Sequence, residues 1–206
     1  MIPHTIKTRA KFYNDAHAKK YPDSHLTVGN RFITGVWMSG NNYKRHEPYY
    51  GAYPPNYLPR IISLFPDSER ILHLFSGSLD KSTLERTFSE HEHVLIDTDP
   101  KSALKGALQI DAEGLSNALD ANLAPDLVLA DPPYSAEDAE HYGKALINKK
   151  KVINECWKIL KPGGYLVWMD QSYPMFKKTM WKIVGTIGII RSTNHRVRMV
   201  FIFVRL

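Results

Sequence analysis

The sequence predicts an α/β fold: a mostly parallel sheet with helices on both faces, closed by an antiparallel strand pair. Three observations lead there. From residue 70 onward, short β-rich runs alternate with stretches of helical spacing, the pattern of strands linked through covering helices. Two long β-rich runs finish the chain, separated only by the polar residues 192–195, STNH, a tight turn that makes the pair antiparallel. At 206 residues and 43% hydrophobic composition, the chain is long enough to bury one substantial core.

The elements follow in order. Residues 1–30 lack a sustained apolar period and are expected to form an irregular arm. Residues 31–38, RFITGVWM, have strand composition and are a candidate extra strand. Residues 39–55, SGNNYKRHEPYYGAYPP, are a loop rich in Gly, Pro, Asn and Tyr. A helix over 56–65 stops at Pro66-Asp67. A strand over 70–75 leads into a helix over 79–91, with apolar residues at 79, 84 and 88. The next strand covers 93–96, followed by a helix over 100–108 and another within 112–122. After the strand at 126–130, a helix over 144–160 places Val152, Ile153, Cys156, Trp157 and Leu160 at helical spacing. A strand at 164–169, at most a short helix over 173–178, and the strands at 181–190 and 196–204 complete the chain. Residues 1–50 are therefore expected to be a basic arm with an extra strand, and residues 51–206 the main domain.

Composition narrows the class. The single cysteine, Cys156, excludes an internal disulfide and a Cys-cluster zinc site, and its neighbours predict a buried helical position. Residues 1–20 are polar and charged, and no run of about 18 apolar residues occurs, so a soluble, cytoplasmic protein is expected. The net charge of +6 is unevenly spread: +5 over residues 1–50, −6 over 51–170 and +7 over 171–206, where no acid occurs. An acidic centre between basic ends fits a catalytic core whose periphery meets a polyanion; a solvated face without a partner is the competing explanation.

The chemistry concentrates in residues 125–134, PDLVLADPPY. A short buried strand is entered through a Pro-Asp turn and left through two prolines that cannot continue the ladder. The chain thus leaves the sheet at a carboxyl edge carrying Asp131 and Tyr134 around Pro132 and Pro133. In open α/β sheets that edge is where ligands bind. Upstream, ILHLFSGSL runs from a strand through a small-residue turn into a helix, an arrangement that lets backbone N–H groups approach a ligand. HVLIDTDP ends its strand with Asp97, an acid suited to both ribose hydroxyls of a nucleotide-like ligand. Asp99 is expected to cap the following helix and is the alternative ribose partner. Asp111 stands at the end of the third strand, where it can also act as a helix N-cap.

DPPY at a strand end resembles the catalytic motif of class I S-adenosylmethionine (SAM) methyltransferases that act on exocyclic amino groups, above all DNA adenine-N6 methyltransferases. FSGS resembles their D-x-F-x-G-S-G cofactor loop, matched at Phe75, Gly77 and Ser78, with Ser76 between them. There are two departures: His73 stands where the family carries an acid for the methionine ammonium, and Leu79 replaces the last glycine. The resemblance further implies a Rossmann-like seven-stranded sheet, ribose held by Asp97 beside Thr98, and the adenine of SAM read by Asp111 with Ala112 against the ring. It assigns GAYPPNYLP to covering the methionine through Tyr53 and Pro54, with Tyr49 or Tyr50 towards substrate. LKPGGYLVW matches the structural turn that follows the catalytic strand in this family. The order of motifs agrees throughout 51–169, and no metal is implied.

By this resemblance, Asp131 and the Pro132 carbonyl accept the two amine N–H groups and Tyr134 stacks on an extruded or single-stranded base. DNA is the first expected partner and RNA the second. A protein partner or self-association could supply target choice, because only about fifty residues separate the two motifs. Adenine-N6 or guanine-N2 methylation of RNA, cytosine-N4 methylation of DNA, glutamine methylation of a protein, and a catalytically silent nucleic-acid-binding subunit are the alternatives.

Overall fold

The three apolar runs RILHL, LVLA and YLVWMD occupy the middle of the molecule because both of their faces are covered. They are β3 (Arg70–Leu74), β6 (Leu127–Ala130) and β7 (Tyr165–Asp170), and every residue of the last two is buried. The computed structural model describes residues 4–40, 53–141, 146–191 and 197–206. The other strands are β1 (Thr27–Gly29), β2 (Phe32–Ser39), β4 (Glu92–Asp97), β5 (Ala107–Gln109), β8 (Trp181–Arg191) and β9 (Val197–Arg205). All nine form one sheet in the order β1-β2-β8-β9-β7-β6-β3-β4-β5. β1 and β9 run against the other seven, so seven carboxyl ends share one edge.

The α/β class, the parallel centre and the antiparallel closing pair agree with the sequence-based expectation. The extra strand expected over 31–38 is present as β2, and β1, which was not expected, brings the sheet to nine strands. β1 and β2 form a hairpin around Asn30 and Arg31, both left-handed at φ 50° and 59°. Two such residues make the tight turn whose twist suits a hairpin. β2 then lies parallel to β8, with Ile33 opposite Gly185 and Ser39 opposite Arg191.

Seven α-helices are described: α1 (Ile6–His17), α2 (Tyr57–Leu64), α3 (Lys81–Thr87), α4 (Pro100–Ala103), α5 (Leu115–Ala118), α6 (Ala136–His141) and α7 (Lys149–Ile159). α1 and α2 pack on one sheet face, against Ile33, Trp37, Ile71, Leu129, Val167 and Ile202. α5 and α7 cover the other face over Leu72, Val128, Leu166 and Phe203, and Cys156 is fully buried there as expected. The helix expected over 100–108 is confined to α4; Gly106, at φ 85°, turns the chain into β5. No helix forms over 173–178. The turn at 192–195 lies outside the described residues. Among those described, no helix is long and apolar enough to cross a membrane.

α1 corrects the expectation of an irregular arm. Thr5 caps it by accepting the Thr8 N–H, and Arg9, Ala10 and Tyr13 are buried on its inner side. Arg9 donates twice to Asp67, at 2.7 and 3.0 Å, and once to the Leu64 carbonyl at 3.1 Å. Its guanidinium also lies 4.8 Å from the Phe65 ring centroid and 4.5 Å from that of Tyr165. Tyr13 stacks on Trp37 at 5.3 Å. The helix escapes a search for apolar periods because an arginine and a tyrosine supply its core contacts.

Arg9→Ala should therefore leave Asp67 unpaired and lower stability by about 3–5 kcal/mol, the cost of breaking a largely buried ion pair. The test is the midpoint of urea unfolding; an unchanged midpoint would mean that α1 is a detachable arm.

Candidate active site

Between β3 and β6 the order of the sheet reverses, since β3 continues to β4 on one side and β6 to β7 on the other. Such a reversal opens a crevice at the carboxyl edge. The 75–78 loop and residues 131–134 meet there because Leu74 is in register with Ala130.

On the first side, Phe75 and Gly77 are left-handed, at φ 58° and 51°. The Ser76 N–H donates to the Ile96 carbonyl at 3.1 Å, and the Gly77 N–H to Asp97 Oδ2 at 2.7 Å. Asp97 Oδ1 accepts the Asp99 N–H at 2.9 Å. Each Asp97 oxygen thus holds one backbone hydrogen bond and retains a further lone pair. Ser78 is half-buried and Thr98 exposed on the same edge. Asp99 caps α4 through the Lys101 N–H at 3.0 Å, the capping role expected of it. Asp111 is exposed and caps the short turn 112–114 through Glu113 N, with Ala112 buried in the core below.

On the second side, Tyr134 donates its hydroxyl to Asp131 Oδ1, and Oδ2 accepts no hydrogen bond from the other described residues. Burial raises the Asp131 carboxyl from 3.8 to about 6; Arg198 and the Tyr134 bond pull it back, while Asp170 and Asp138 push it up. Burial also moves the Tyr134 phenol well above its usual value, and Asp131 adds to the shift. Pro132 is buried, which anchors the loop. The Tyr134 carbonyl accepts Lys149 Nζ at 3.1 Å, and the same ammonium pairs with Asp170 at 2.7 Å. Asp170 is fully buried and also accepts from Trp168 Nε1 at 3.2 Å and Gln171 N at 2.7 Å. The Arg198 guanidinium lies 5.0 Å from the Tyr134 ring centroid.

The segment before α2 lies beside these groups, with the Tyr53 ring 6.4 Å from that of His73. Ser39 at the end of β2 donates to the Pro55 carbonyl at 3.2 Å, holding the backbone beside Tyr53 and the buried Pro54. Tyr53 stacks on Tyr57 at 4.9 Å, and both phenols are shifted well upward, first by burial and also by the Asp131 charge. His73 is fully buried, with Nε2 3.0 Å from His93 Nδ1. Burial and the neighbouring imidazole lower His73 to about 3, so it is neutral at physiological pH. The Tyr53 and Tyr57 hydroxyls, Ser76 Oγ and His73 Nδ1 are all buried without a hydrogen-bond partner. Tyr49 and Tyr50 lie outside the described residues.

The structure thus brings Tyr53, Phe75, Ser76, Gly77, Asp97, Asp131 and Tyr134 to one crevice, with Asp111 further along the same edge past β5. Sequence reasoning missed Tyr57, Lys149, Asp170 and Arg198. Asp170 carried a usable signal, an acid closing an apolar strand beside the β6 strand. The others carried none, because their roles depend on packing partners. A groove of about 460 Å³ lined by Thr34, Val36, Gly188, Ile190, Val197 and Met199 lies on the opposite sheet face from His73 and holds no titratable group. Among the described residues no His, Cys, Asp and Glu cluster could hold a metal ion.

Comparison with solved structures identifies the fold. TrmN from Thermus thermophilus superposes with a TM-score of 0.54 at 16% identity, covering 75% of this chain and 49% of that one, so this chain spans about half the length of TrmN. The N-methyltransferase NodS from Bradyrhizobium japonicum WM9, in complex with S-adenosyl-L-homocysteine, superposes at 0.45 with 12% identity, covering 67% of this chain and 78% of that one. No protein-family model and no curated protein matches the sequence. The fold is a Rossmann-like methyltransferase fold.

Two expectations arise from this geometry. The folded state binds the Asp131 proton more tightly than the unfolded chain, so the contribution of Asp131 to stability falls as pH rises from about 4 through about 6. Asp131→Asn should accordingly gain stability relative to wild type across that window, read by urea unfolding at its two ends; a pH-independent difference would place the carboxylate in solvent. Lys149→Ala should cost about 3 kcal/mol, because it strands the buried Asp170 carboxylate. Thermal or urea unfolding checks this, and a neutral substitution would show that Trp168 Nε1 and its other donors hold Asp170 without the lysine.

Proposed function

We propose that the protein transfers a methyl group from SAM to an exocyclic amino group of a nucleic-acid base, with N6 of adenine in DNA as the first assignment. The observation that carries this reading is the half-buried Asp131 carboxylate at the switch point of the sheet, hydrogen-bonded to Tyr134 and with Oδ2 unengaged by the other described residues. The Rossmann-like methyltransferase fold supports it.

The residues present fit the cofactor. Four buried polar atoms without protein partners, on Tyr53, Tyr57, His73 and Ser76, are groups that a polar ligand would satisfy, and leaving them unpaired costs about 1–3 kcal/mol each. In this reading the spare lone pairs of Asp97 receive the ribose hydroxyls beside Thr98. The backbone of Phe75, Ser76, Gly77 and Ser78 borders the cofactor, Tyr53 and Pro54 cover its methionine portion, and Asp111 with Ala112 meets its adenine. His73 offers the methionine ammonium a neutral ring nitrogen in place of the family's carboxylate. SAM supplies an electrophilic methyl group on a sulfonium sulfur.

The chain's own part is positioning and proton transfer. An aromatic exocyclic amine is a weak nucleophile because its lone pair is delocalised into the ring. Asp131 accepts one amine N–H and the Pro132 carbonyl the other, which pulls the nitrogen towards tetrahedral geometry and aims its lone pair. Transfer would break the methyl–sulfur bond, leaving a neutral thioether, as the C–N bond forms; the nitrogen would then be cationic and release a proton, for which Asp131, raised to about 6, is the acceptor. Tyr134 stacks on the base, a contact worth about 1–3 kcal/mol. Its hydroxyl keeps Asp131 oriented, while Lys149 fixes its backbone. Residues 51–206 carry this machinery, and residues 1–50 extend the sheet through β2.

Asp131→Ala should abolish methyl transfer, by more than a hundredfold given typical general-base contributions of about 10²–10⁴. SAM affinity by calorimetry should stay close to wild type. Incubation with methyl-labelled SAM and DNA, RNA or protein, followed by nucleoside and amino-acid analysis, identifies the acceptor. Retained turnover in the variant would remove Asp131 from the centre of the reaction, and labelled protein alone would replace the nucleic-acid assignment.

A further inference from the structure

Two guanidinium groups stand at the rim of this crevice. Arg191 is the last residue of β8 and Arg198 the second of β9. Arg198 is in register with Ile189, and Arg191 lies two residues further along the same strand. The two side chains therefore leave the same face of the sheet as diagonal neighbours, about 7–8 Å apart at the backbone. Both strands end at the edge that bears Asp131, since β8 runs parallel to β7 and β9 runs back from that edge.

Their electrostatics are unusual for surface arginines. Neither forms an ion pair among the described residues, and residues 171–206 contain no acid to neutralise them. Burial and the Arg198 charge both push Arg191 below its ordinary value. Arg198 has two partners of its own, the face of the Tyr134 ring and the field of Asp131. Among the described residues Arg191 has neither a ring face nor a carboxylate beside it, Tyr134 only partly offsets its downward shift, and its Nε is buried with no hydrogen-bond partner. Two neighbouring cations, one with an unused buried donor, are stable together when an anion sits between them. A phosphate matches their forked donors, which carboxylates and phosphates engage bidentately.

We propose that Arg191 and Arg198 bind a backbone phosphate of the nucleic-acid substrate next to the target base. This rests on the amino-methyltransfer reading for its choice of substrate, but its test is a binding measurement. Arg198 covers one face of Tyr134, the ring assigned to the base, so a phosphate between the two arginines belongs to the strand that carries that base. Contacts of this kind fix register on the strand and carry no sequence information. The pair therefore holds the strand at the crevice and leaves choice of base to Asp131 and its surroundings.

The test uses the full chain and a fluorescently labelled single-stranded DNA oligonucleotide containing adenine, with affinity followed by polarisation across a salt series. Arg191→Gln should reduce the slope of log affinity against log salt by about 0.7, the loss of one phosphate contact on a single strand. Lys182→Gln removes the same charge from an exposed position near the opposite end of β8 and should leave the slope unchanged. Arg191→Lys keeps the charge but not the fork; it should keep the slope and lose affinity, and it carries the test if the Gln variant fails to fold. An equal response to Arg191→Gln and Lys182→Gln, or an unaltered slope in the former, overturns the proposal, as does methylation of a peptide by a chain that binds no oligonucleotide. A reduced slope without any methylated nucleoside would retain the phosphate site and reject the base-methylation reading. Methylated nucleoside with an unaltered slope would do the reverse.

Discussion

The register between β3 and β6 governs everything at the carboxyl edge. Leu74 faces Ala130 across this pair, and Leu74 also faces Ile96 on β4. The next residue of each strand is therefore Phe75, Asp131 or Asp97, and all three emerge at one level. A slip of one residue would turn His73 to the other face and send Leu72 and Leu74 towards α2. Such a slip is opposed by the apolar cores on both sides of the sheet, so the buried leucines and valines of the centre also set the geometry of the polar groups above them. The hydrogen bond from Gly77 to Asp97 then ties the β3 loop to β4, which fixes the loop without using all the acceptor capacity of the carboxylate.

Burial gives the polar residues of the crevice their properties. Desolvation raises Asp131 to about 6 and lowers His73 to about 3; the sign differs because the charged form that desolvation disfavours is an anion in one and a cation in the other. Tyr53 and Tyr57 add unpaired hydroxyls to the same region. A site assembled from groups this poorly satisfied needs rigid support, and the Lys149–Asp170 pair provides it beneath Tyr134. That support comes from α7 and β7, elements that are themselves deep in the second core.

The N-terminal region belongs to the same construction. β2 lies along β8 and brings Ser39 to the Pro55 carbonyl, so the segment holding Tyr53 is anchored from the far side of the sheet. α1 in turn packs on α2 through Arg9, Tyr13 and their aromatic partners. The stability of the helix that leads from Tyr57 is thus coupled to residues more than forty positions upstream.

Local sequence was sufficient wherever a local cause was. Pro132 and Pro133 end a strand because neither can donate to a ladder, and the small residues of FSGS turn the chain because left-handed backbone is needed at Gly77; both sites were legible, as were the alternation of elements and the antiparallel close. The tertiary structure alone decided the rest. α1 was hidden because its core contacts come from Arg9 and Tyr13, whose burial depends on Asp67, Phe65, Trp37 and Tyr165 being in place. Lys149 and Arg198 acquire their roles only when α7 and β9 are laid beside residues 131–134. Spacing along the chain reports which backbone a segment prefers, since that preference is set by near neighbours. Which charge stands beside which carboxylate is set by strand order and direction, and those are fixed by the packing of segments remote in sequence.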